Sequence, residues 1–261
     1  MLFDLKEIVE QYGLKGKIIV WKWPYCKKRY VARRLIKKAV KEGRLKKHQR
    51  IVEWSSGNLA REVCNVASIL MHPVSIIEGS NLKGKLPDWV EVIHPSKLLK
   101  DEKEQQISKK LLHDITQKYA CNVNGCYLGQ LVEEEHIKVY EEFAQHLIKQ
   151  LPKIDAFIEH VGSGATFIGM GNVFKEKFED MQVIAYSKVW KDIQDAIVFK
   201  IPFNYTMLNN SDFTKYANTI QSSLKNDYGI LKSNHGIKNI CAAMEWLKEN
   251  PNSTIFTTIG D

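Results

Sequence analysis

The sequence predicts an α/β fold with open, mostly parallel sheets flanked by helices. Short runs rich in Val and Ile alternate along the chain with longer segments of helical periodicity. Helices of that length between strands are the crossover connections that parallel strands need. The chain of 261 residues, 44% of them hydrophobic, is long enough to bury a sizeable core. In such sheets, ligands bind at the carboxyl ends of the strands.

The first half of the chain supplies four strand patterns and three helix patterns. Val31, Leu35 and Ala39 recur at helical spacing, and Gly43 is a typical residue just past a helix end. In order, the predicted elements are the strand KIIVWK, a helix from about Tyr30 to Gly43, the strand RIVEW, a helix from Asn58 to Leu70, the strands VSIIE and VEVI, and a helix over 103–119.

The second half repeats this alternation. In order, the predicted elements are a helix over 133–150, the strand IDAFIE, a helix over about 166–179, the strand MQVIAYS, a helix over 212–225, the strand GILK, a helix over 236–249 and the strand TIFTTI. Because strands and helices of this kind alternate to the end of the chain, both halves are expected to contribute parallel strands.

The excess of positive charge is concentrated in one segment. The net charge is +8, and residues 27–50 contain twelve Lys or Arg and a single acid, Glu42. Such a cluster can bind nucleic acid. The apolar spacing of this segment instead favours the solvated face of an amphipathic helix, and no aromatic stacking platform accompanies it. A nucleic-acid partner is the less favoured interpretation.

Composition also predicts the compartment and the state of the cysteines. No apolar run approaches the length of a membrane span, and the N-terminal segment MLFDLKEIVEQYG is acidic and amphipathic, unlike a signal peptide. We therefore expect a cytoplasmic protein. The five cysteines are odd in number and mostly lie in apolar patterns, which favours reduced thiols. Cys121 and Cys126 lack a second Cys or His pair nearby, so no metal site is expected.

A glycine-rich stretch, HVGSGATFIGMGN at 160–172, directly follows a predicted strand. It fails as a dinucleotide fingerprint because Phe167 stands at the third glycine position, and no Gly-Lys-Ser/Thr follows for a nucleotide phosphate loop. What remains is a strand, a Gly-Ser-Gly-Ala-Thr turn and a helix start, which suits one phosphate monoester. A purely structural tight turn is the alternative.

Two further motifs lie upstream. VEWSSGNLA at 52–60 is again a strand, a small polar turn and a helix, and its start suits a carboxylate. The alternative is a helix cap by Ser55 or Ser56. In WPYCKKRYVARR, Lys27 and Lys28 lie at the start of the first long helix, where a positive charge opposes the helix dipole.

Together the three motifs resemble the cysteine synthase and cystathionine β-synthase group of fold-type II enzymes, which use pyridoxal 5′-phosphate (PLP). That group has a Schiff-base lysine in an SxK context, a TSGNT substrate loop and a GTGGT phosphate-binding turn. Counted from Lys28, the residues in register with the group are Gly43, Leu45, Glu53, Ser56, Gly57 and Asn58. Gly162-Ser163-Gly164-Ala165-Thr166 resembles the phosphate-binding turn, and Thr258 aligns with the hydroxyl that faces the pyridine nitrogen.

The resemblance implies a two-lobed, tryptophan synthase β-like fold. Residues 30–130 form a small mobile lobe that carries the substrate loop, and residues 1–29 with 131–261 form the large cofactor-binding lobe. Members of the group are commonly homodimers, so a homodimer is expected. The implied reaction is β-replacement or β-elimination on an activated serine-like or cysteine-like amino acid, through an aminoacrylate intermediate.

The resemblance also assigns a role to each matching residue. Lys28 carries the cofactor as a Schiff base and serves as the base for the substrate Cα proton. Asn58 bonds the 3′-oxygen of the ring, and Thr258 faces the pyridine nitrogen. The substrate carboxylate is assigned to Ser55, Ser56, Gly57 and Leu59, and the cofactor phosphate to Gly162, Ser163, Gly164, Ala165 and Thr166.

Several positions depart from the pattern of the group. Ala165 replaces the second glycine of the turn, and Leu59 stands where a threonine usually assists carboxylate binding. Tyr30 replaces the usual arginine. No residue matches the usual substrate-binding glutamine securely, and Gln130, Asn124 or neither takes that role. The alternative function is therefore a catalytically degenerate homologue that serves as a binding or regulatory subunit.

Overall fold

The computed structural model describes residues 1–55, 57–78, 82, 84–99, 108–186, 199–208, 214–228 and 234–260. The chain divides into two compact units. The first comprises Met1–Lys27, Tyr140–Ala196 and Lys200–Asp261, and the second comprises Lys28–Val139 with a short segment at 197–199.

The first unit contains a six-stranded sheet. Its strands are β1 (Leu2–Asp4), β2 (Lys17–Lys22), β7 (Ala156–His160), β8 (Gln182–Tyr186), β9 (Thr206–Leu208) and β10 (Thr254–Ile259). They lie in the order β1-β2-β10-β7-β8-β9, and all neighbours are parallel except β1 with β2. The central strands are covered on both faces, and nearly all residues of β7 and β10 are buried.

Helices cover both faces of this sheet. They are α1 (Lys6–Gln11), α6 (Ala165–Lys177), α7 (Thr214–Tyr228) and α8 (Asn234–Glu249). On one face, α8 packs on β10 and β7 with Ile240 and Met244 buried. On the other, Phe174 of α6 contacts Phe157 and Phe256 edge to face, with ring centroids 5.3 and 5.2 Å away. These contacts hold the start of α6 at the carboxyl end of β7.

The second unit contains a four-stranded parallel sheet. Its strands are β3 (Ile51–Trp54), β4 (Val74–Ile77), β5 (Glu91–Ile93) and β6 (Cys126–Tyr127), in the order β5-β4-β3-β6. Its helices are α2 (Lys27–Lys41), α3 (Asn58–Ile69), α4 (Lys109–Asn122) and a 3-10 turn at Pro95–Lys97, and α5 (Glu135–Leu147) begins in it. The predicted class of parallel sheets flanked by helices is confirmed.

The element boundaries show what periodicity missed. Helix α2 begins at Lys27, three residues before the predicted start, so Lys28 lies in its first turn. The elements β1, α1, β6 and β9 were not predicted, because runs of two to six residues are too short to show a period. The predicted strand GILK and residues 103–107 of a predicted helix lie outside the described residues.

Candidate active site

The predicted phosphate-binding turn connects β7 to α6. Gly164 is the cap residue of α6, with φ of +87° and ψ of −24°, a left-handed conformation that glycine adopts without strain. Gly162 is exposed, and a Cβ built there meets no other atom within 4 Å. The backbone therefore turns into the helix and leaves open space beside Gly162.

The donors of this turn suit an anion. The first N–H groups of an α-helix have no acceptor within the helix, and the helix dipole makes this end positive. Ser163 is half-buried beside them, whereas Ala165 is fully buried. Burial raises the pKa of the nearby Tyr140, and the Thr166 side chain partly opposes this rise. A phosphate placed at this turn would be bound mainly by backbone N–H groups.

Phe167, which breaks the dinucleotide fingerprint, has a structural role. Its ring is buried and stacks on Phe157 of β7, with centroids 6.4 Å apart. Later in α6, a Cβ built on Gly171 lies only 2.5 Å from the Phe203 ring. The hydrophobic contacts of α6 thus account for the residues that follow the turn.

Replacing Gly164 with Ala is expected to weaken phosphate binding. A side chain at φ of +87° costs about 1–2 kcal/mol, which the turn can relieve only by changing its backbone. We expect a several-fold weaker Kd for PLP and a lower melting temperature, measured by fluorescence titration and thermal unfolding. Gly13→Ala is the matched control, because Gly13 of the same unit also has a positive φ, +67°, and open space around it, but lies outside the turn. It is expected to lower the melting temperature and to leave the Kd for PLP unchanged, and an equal rise in Kd for the two substitutions would contradict the prediction.

Thr258, the residue predicted to face the ring nitrogen, belongs to a buried polar cluster. Parallel pairing places Thr257 opposite Ile158, so Thr258 lies beside Glu159 on the next strand. The Thr258 hydroxyl donates to the Glu159 carboxylate with Oγ1 and Oε2 2.7 Å apart, and both residues are 1% exposed.

Two further residues complete the cluster. Asn239 of α8 donates from Nδ2 to Glu159 Oε2 at 3.2 Å and to the Thr258 carbonyl at 3.0 Å, while its Oδ1 accepts from the His160 N–H at 2.9 Å. The Lys27 ammonium pairs with Glu159 Oε1 at 3.1 Å. The sequence motifs did not reveal Glu159 or Asn239. The available signal was the acid that follows the apolar residues 156–158 directly.

In the second unit, Lys28 contacts a buried histidine. Lys28 Nζ lies 3.0 Å from Nε2 of His136, and Nδ1 of His136 lies 2.7 Å from the Gln130 carbonyl. Because a carbonyl only accepts, Nδ1 carries the proton, and Nε2 of the neutral ring accepts from Lys28. His136 thus orients the Lys28 side chain, a role that no sequence motif indicated.

Glu53 is a fully buried acid in β3. Its oxygens accept from the Trp54 N–H at 2.8 Å and the Gln130 N–H at 3.2 Å. Burial raises the pKa of Glu53 to about 8, while the backbone N–H groups of Gln130, Trp54 and Gly129 and the charge of Lys28 oppose the shift. The side-chain amide of Gln130 in turn donates to the Trp54 carbonyl. This contact fixes the amide against β3 of the second unit.

The predicted substrate loop begins α3. The Ser55 hydroxyl is buried and accepts from the Ala60 N–H at 3.0 Å and the Gly57 N–H at 3.3 Å, so it caps the helix. Asn58 is the half-buried first residue of α3. Leu59 is 2% exposed, which leaves its backbone N–H for any contact with a ligand. Ser56 lies outside the described residues.

Some of the basic side chains of α2 form ion pairs. Lys38 pairs with Glu133 at 2.6 Å, and Arg29 pairs with Glu62 at 3.1 Å. Among the described residues, no group of three or more His, Cys, Asp or Glu side chains could hold a metal ion. No helix in the described part of the chain is long and apolar enough to cross a membrane.

Comparison with known proteins places this fold. No protein-family model matches the chain, and no curated protein is significantly similar to it in sequence. Among solved structures, O-ureido-L-serine synthase has a TM-score of 0.76 at 15% identity, with 100% of this chain and 88% of that chain covered. Cysteine synthase from Entamoeba histolytica has a TM-score of 0.75 at 19% identity, with 100% and 84% covered. The chain has the cysteine synthase fold.

An O-acetylserine-dependent cystathionine β-synthase from Helicobacter pylori shares the cysteine synthase fold as well. Its TM-score is 0.76 at 16% identity, with 100% of this chain and 92% of that chain covered. The fold implied by the sequence resemblance is thus confirmed over the whole chain. Within this fold, the Gly162–Thr166 turn and Thr258 lie at the carboxyl ends of neighbouring parallel strands.

Proposed function

We propose that this protein is a PLP-dependent enzyme that catalyses β-replacement on an activated serine-like or cysteine-like amino acid, as cysteine synthase does. The observation that carries the proposal is the strand-turn-helix at Gly162–Thr166 in a chain with the cysteine synthase fold. Two of the solved structures with this fold are of synthases that, by their names, make or use a substituted serine. β-Elimination is the lesser variant of the same reaction.

The residues of the first unit fit PLP. The turn offers backbone N–H groups, the half-buried Ser163 and open space at Gly162, which together suit a phosphate monoester. Thr258 offers a buried hydroxyl on the neighbouring strand. When bound, PLP supplies the electron sink that makes bonds at Cα and Cβ of an amino acid easier to break.

In this proposal, each protein group has a defined task. Lys28 binds the cofactor covalently and then removes the Cα proton, and His136 orients its amine. Asn58 binds the 3′-oxygen of the ring. The substrate carboxylate is bound by the start of α3, from Ser55 to Leu59, where the contact at Leu59 is through the backbone because that side chain is buried.

A spectral screen tests the function. Purified protein incubated with PLP is expected to show the visible absorption of covalently bound cofactor. Amino acids with β-leaving groups, such as O-acetylserine, are expected to change that spectrum, and added sulfide or amines are expected to release a β-substituted product detected by mass spectrometry. A protein that stays colourless in excess PLP would overturn the proposal.

The alternative is a degenerate homologue with a binding or regulatory role. The observations that favour it are the buried Leu59 in the substrate loop and the methyl group of Ala165 in the turn. Bound PLP whose spectrum does not respond to any common amino acid would support this alternative. We also propose a cytoplasmic homodimer, which light scattering of the purified protein and fractionation of its host cell will test.

A further inference from the structure

Glu159 is a buried acid to which the proposed reaction assigns no role. It lies in β7, three positions before the phosphate-binding turn, and its side chain is 2% exposed. Burying a carboxylate is costly unless donors satisfy it. Glu159 has three: the Thr258 hydroxyl at 2.7 Å, Asn239 Nδ2 at 3.2 Å and the Lys27 ammonium at 3.1 Å.

These contacts determine the direction of each hydrogen bond. Asn239 Oδ1 accepts from the His160 N–H, so Nδ2 is the end that faces Glu159 and the Thr258 carbonyl. A carboxylate paired with an ammonium has no proton to give. The Thr258 hydroxyl therefore donates its only proton to Glu159. Toward any other partner, Oγ1 can only accept a hydrogen bond through its lone pairs.

We propose that Glu159 acts through Thr258 as a positioning residue that makes this site accept a ring nitrogen carrying a proton. The inference rests on the proposed function, in which Thr258 faces the pyridine nitrogen of PLP. A hydroxyl that had its proton available could donate to an unprotonated nitrogen. Thr258, held by Glu159, must instead accept from a pyridinium N–H, and the carboxylate behind it stabilises that positive charge.

A protonated ring nitrogen changes the expected chemistry. A neutral hydroxyl that donates to the ring nitrogen would leave that nitrogen unprotonated and the delocalisation of negative charge into the ring weak. A protonated nitrogen strengthens that delocalisation and eases removal of the Cα proton by Lys28. The site is therefore expected to act on amino acids with poorer β-leaving groups than a neutral hydroxyl alone would permit.

The neighbouring charged and titratable groups do not reverse the direction of the hydrogen bond from Thr258 to Glu159. Lys27 adds a positive charge, but its ammonium pairs with Oε1 of Glu159, whereas Thr258 contacts Oε2. Tyr140 stays neutral because burial raises its pKa. The His160 ring packs against Tyr186, with centroids 5.2 Å apart, and alternation along β7 places it on the other face from Glu159.

The test is the protonation state of the bound ring nitrogen. The protein is loaded with PLP labelled with ¹⁵N in the ring, and the ¹⁵N chemical shift is recorded near pH 7.5. The wild type is expected to show the shift of a pyridinium. Glu159→Gln, which removes the charge at nearly constant size, and Thr258→Val, which removes the hydroxyl, are expected to move the signal to the unprotonated position.

Glu141→Gln is the matched control. Glu141 belongs to the same unit and accepts a hydrogen bond from Asn172 at 3.3 Å. Within the described part of the chain, no hydrogen bond or ion pair joins it to Thr258, Glu159 or Asn239. This variant is expected to keep the pyridinium shift. A shift that moves as far in Glu141→Gln as in Glu159→Gln would overturn the assignment to Glu159.

The outcomes separate this inference from the proposed function. If PLP does not bind the wild type, the proposed function fails and the inference fails with it. If PLP binds and its nitrogen is unprotonated in the wild type, the inference alone fails. If Glu159→Gln does not fold, the wild-type spectrum together with Thr258→Val decides, because a pyridinium that survives the loss of the hydroxyl also overturns the inference.

Discussion

Replacing Lys28 with Ala is expected to abolish the visible absorption of covalently bound PLP and the β-replacement activity. In the proposed function, this amine both binds the cofactor and removes the Cα proton. Loss of a positioned base alone lowers kcat by roughly 10²–10⁴-fold, and loss of covalent attachment adds to that. Absorbance after dialysis against PLP-free buffer and a single-turnover assay measure the two effects.

Two lysines of the same helix provide the comparison. Lys37 is exposed on α2, so Lys37→Ala is expected to retain both absorption and activity. Lys27 precedes Lys28 and pairs with Glu159. If Lys27→Ala loses the absorption band and Lys28→Ala keeps it, the assignment of the cofactor to Lys28 is wrong.

The buried Glu53 is expected to make the second unit less stable as the pH rises from about 4.5 to 8. Burial raises the pKa of Glu53 from 4.5 to about 8. Between those values the folded protein keeps a proton that the unfolded chain has lost, so the free energy of unfolding falls as the pH rises. Below that range both states are protonated, and above it both are ionised. The full effect is roughly 3–5 kcal/mol.

Glu53→Gln is expected to remove this pH-dependent loss. The Gln side chain places an NH₂ group among backbone N–H donors, so its stability at low pH is expected to be lower than that of the wild type. The quantity to compare is therefore the change in the free energy of unfolding with pH, measured by urea unfolding at several pH values. Glu134→Gln, at an exposed site of the same unit, is the control. A slope shared by the wild type and Glu53→Gln would contradict the prediction.

Local patterns were sufficient for the main elements and for the strand-turn-helix at Gly162–Thr166. Gly162, Gly164 and Thr166 lie within five residues of one another, so strand, turn and helix start could be predicted from one stretch. The need for glycine at position 164 is likewise local, because it follows from the backbone conformation at the start of α6. Short elements escaped prediction because they contain too few residues for a period.

The polar partners behind the site could not be predicted in this way. Thr258 and Glu159 are 99 residues apart, and only the parallel register of β10 and β7 makes them neighbours. Lys28 and His136 are 108 residues apart. The same hydroxyl or amine is compatible with many partners until the strands pair.

The sequence by itself determined the alternation of strands and helices, the glycine turn between β7 and α6, and the places of Lys28 in the first long helix and of Thr258 in the last strand. These depend on neighbours within a few residues, through hydrophobic periodicity and backbone conformation. Only the tertiary structure decided that Ser55 caps a helix, that Leu59 is buried, and that a carboxylate lies behind Thr258. Hydrogen-bond direction and burial depend on which distant groups the folded chain brings into contact, and no local pattern contains that information.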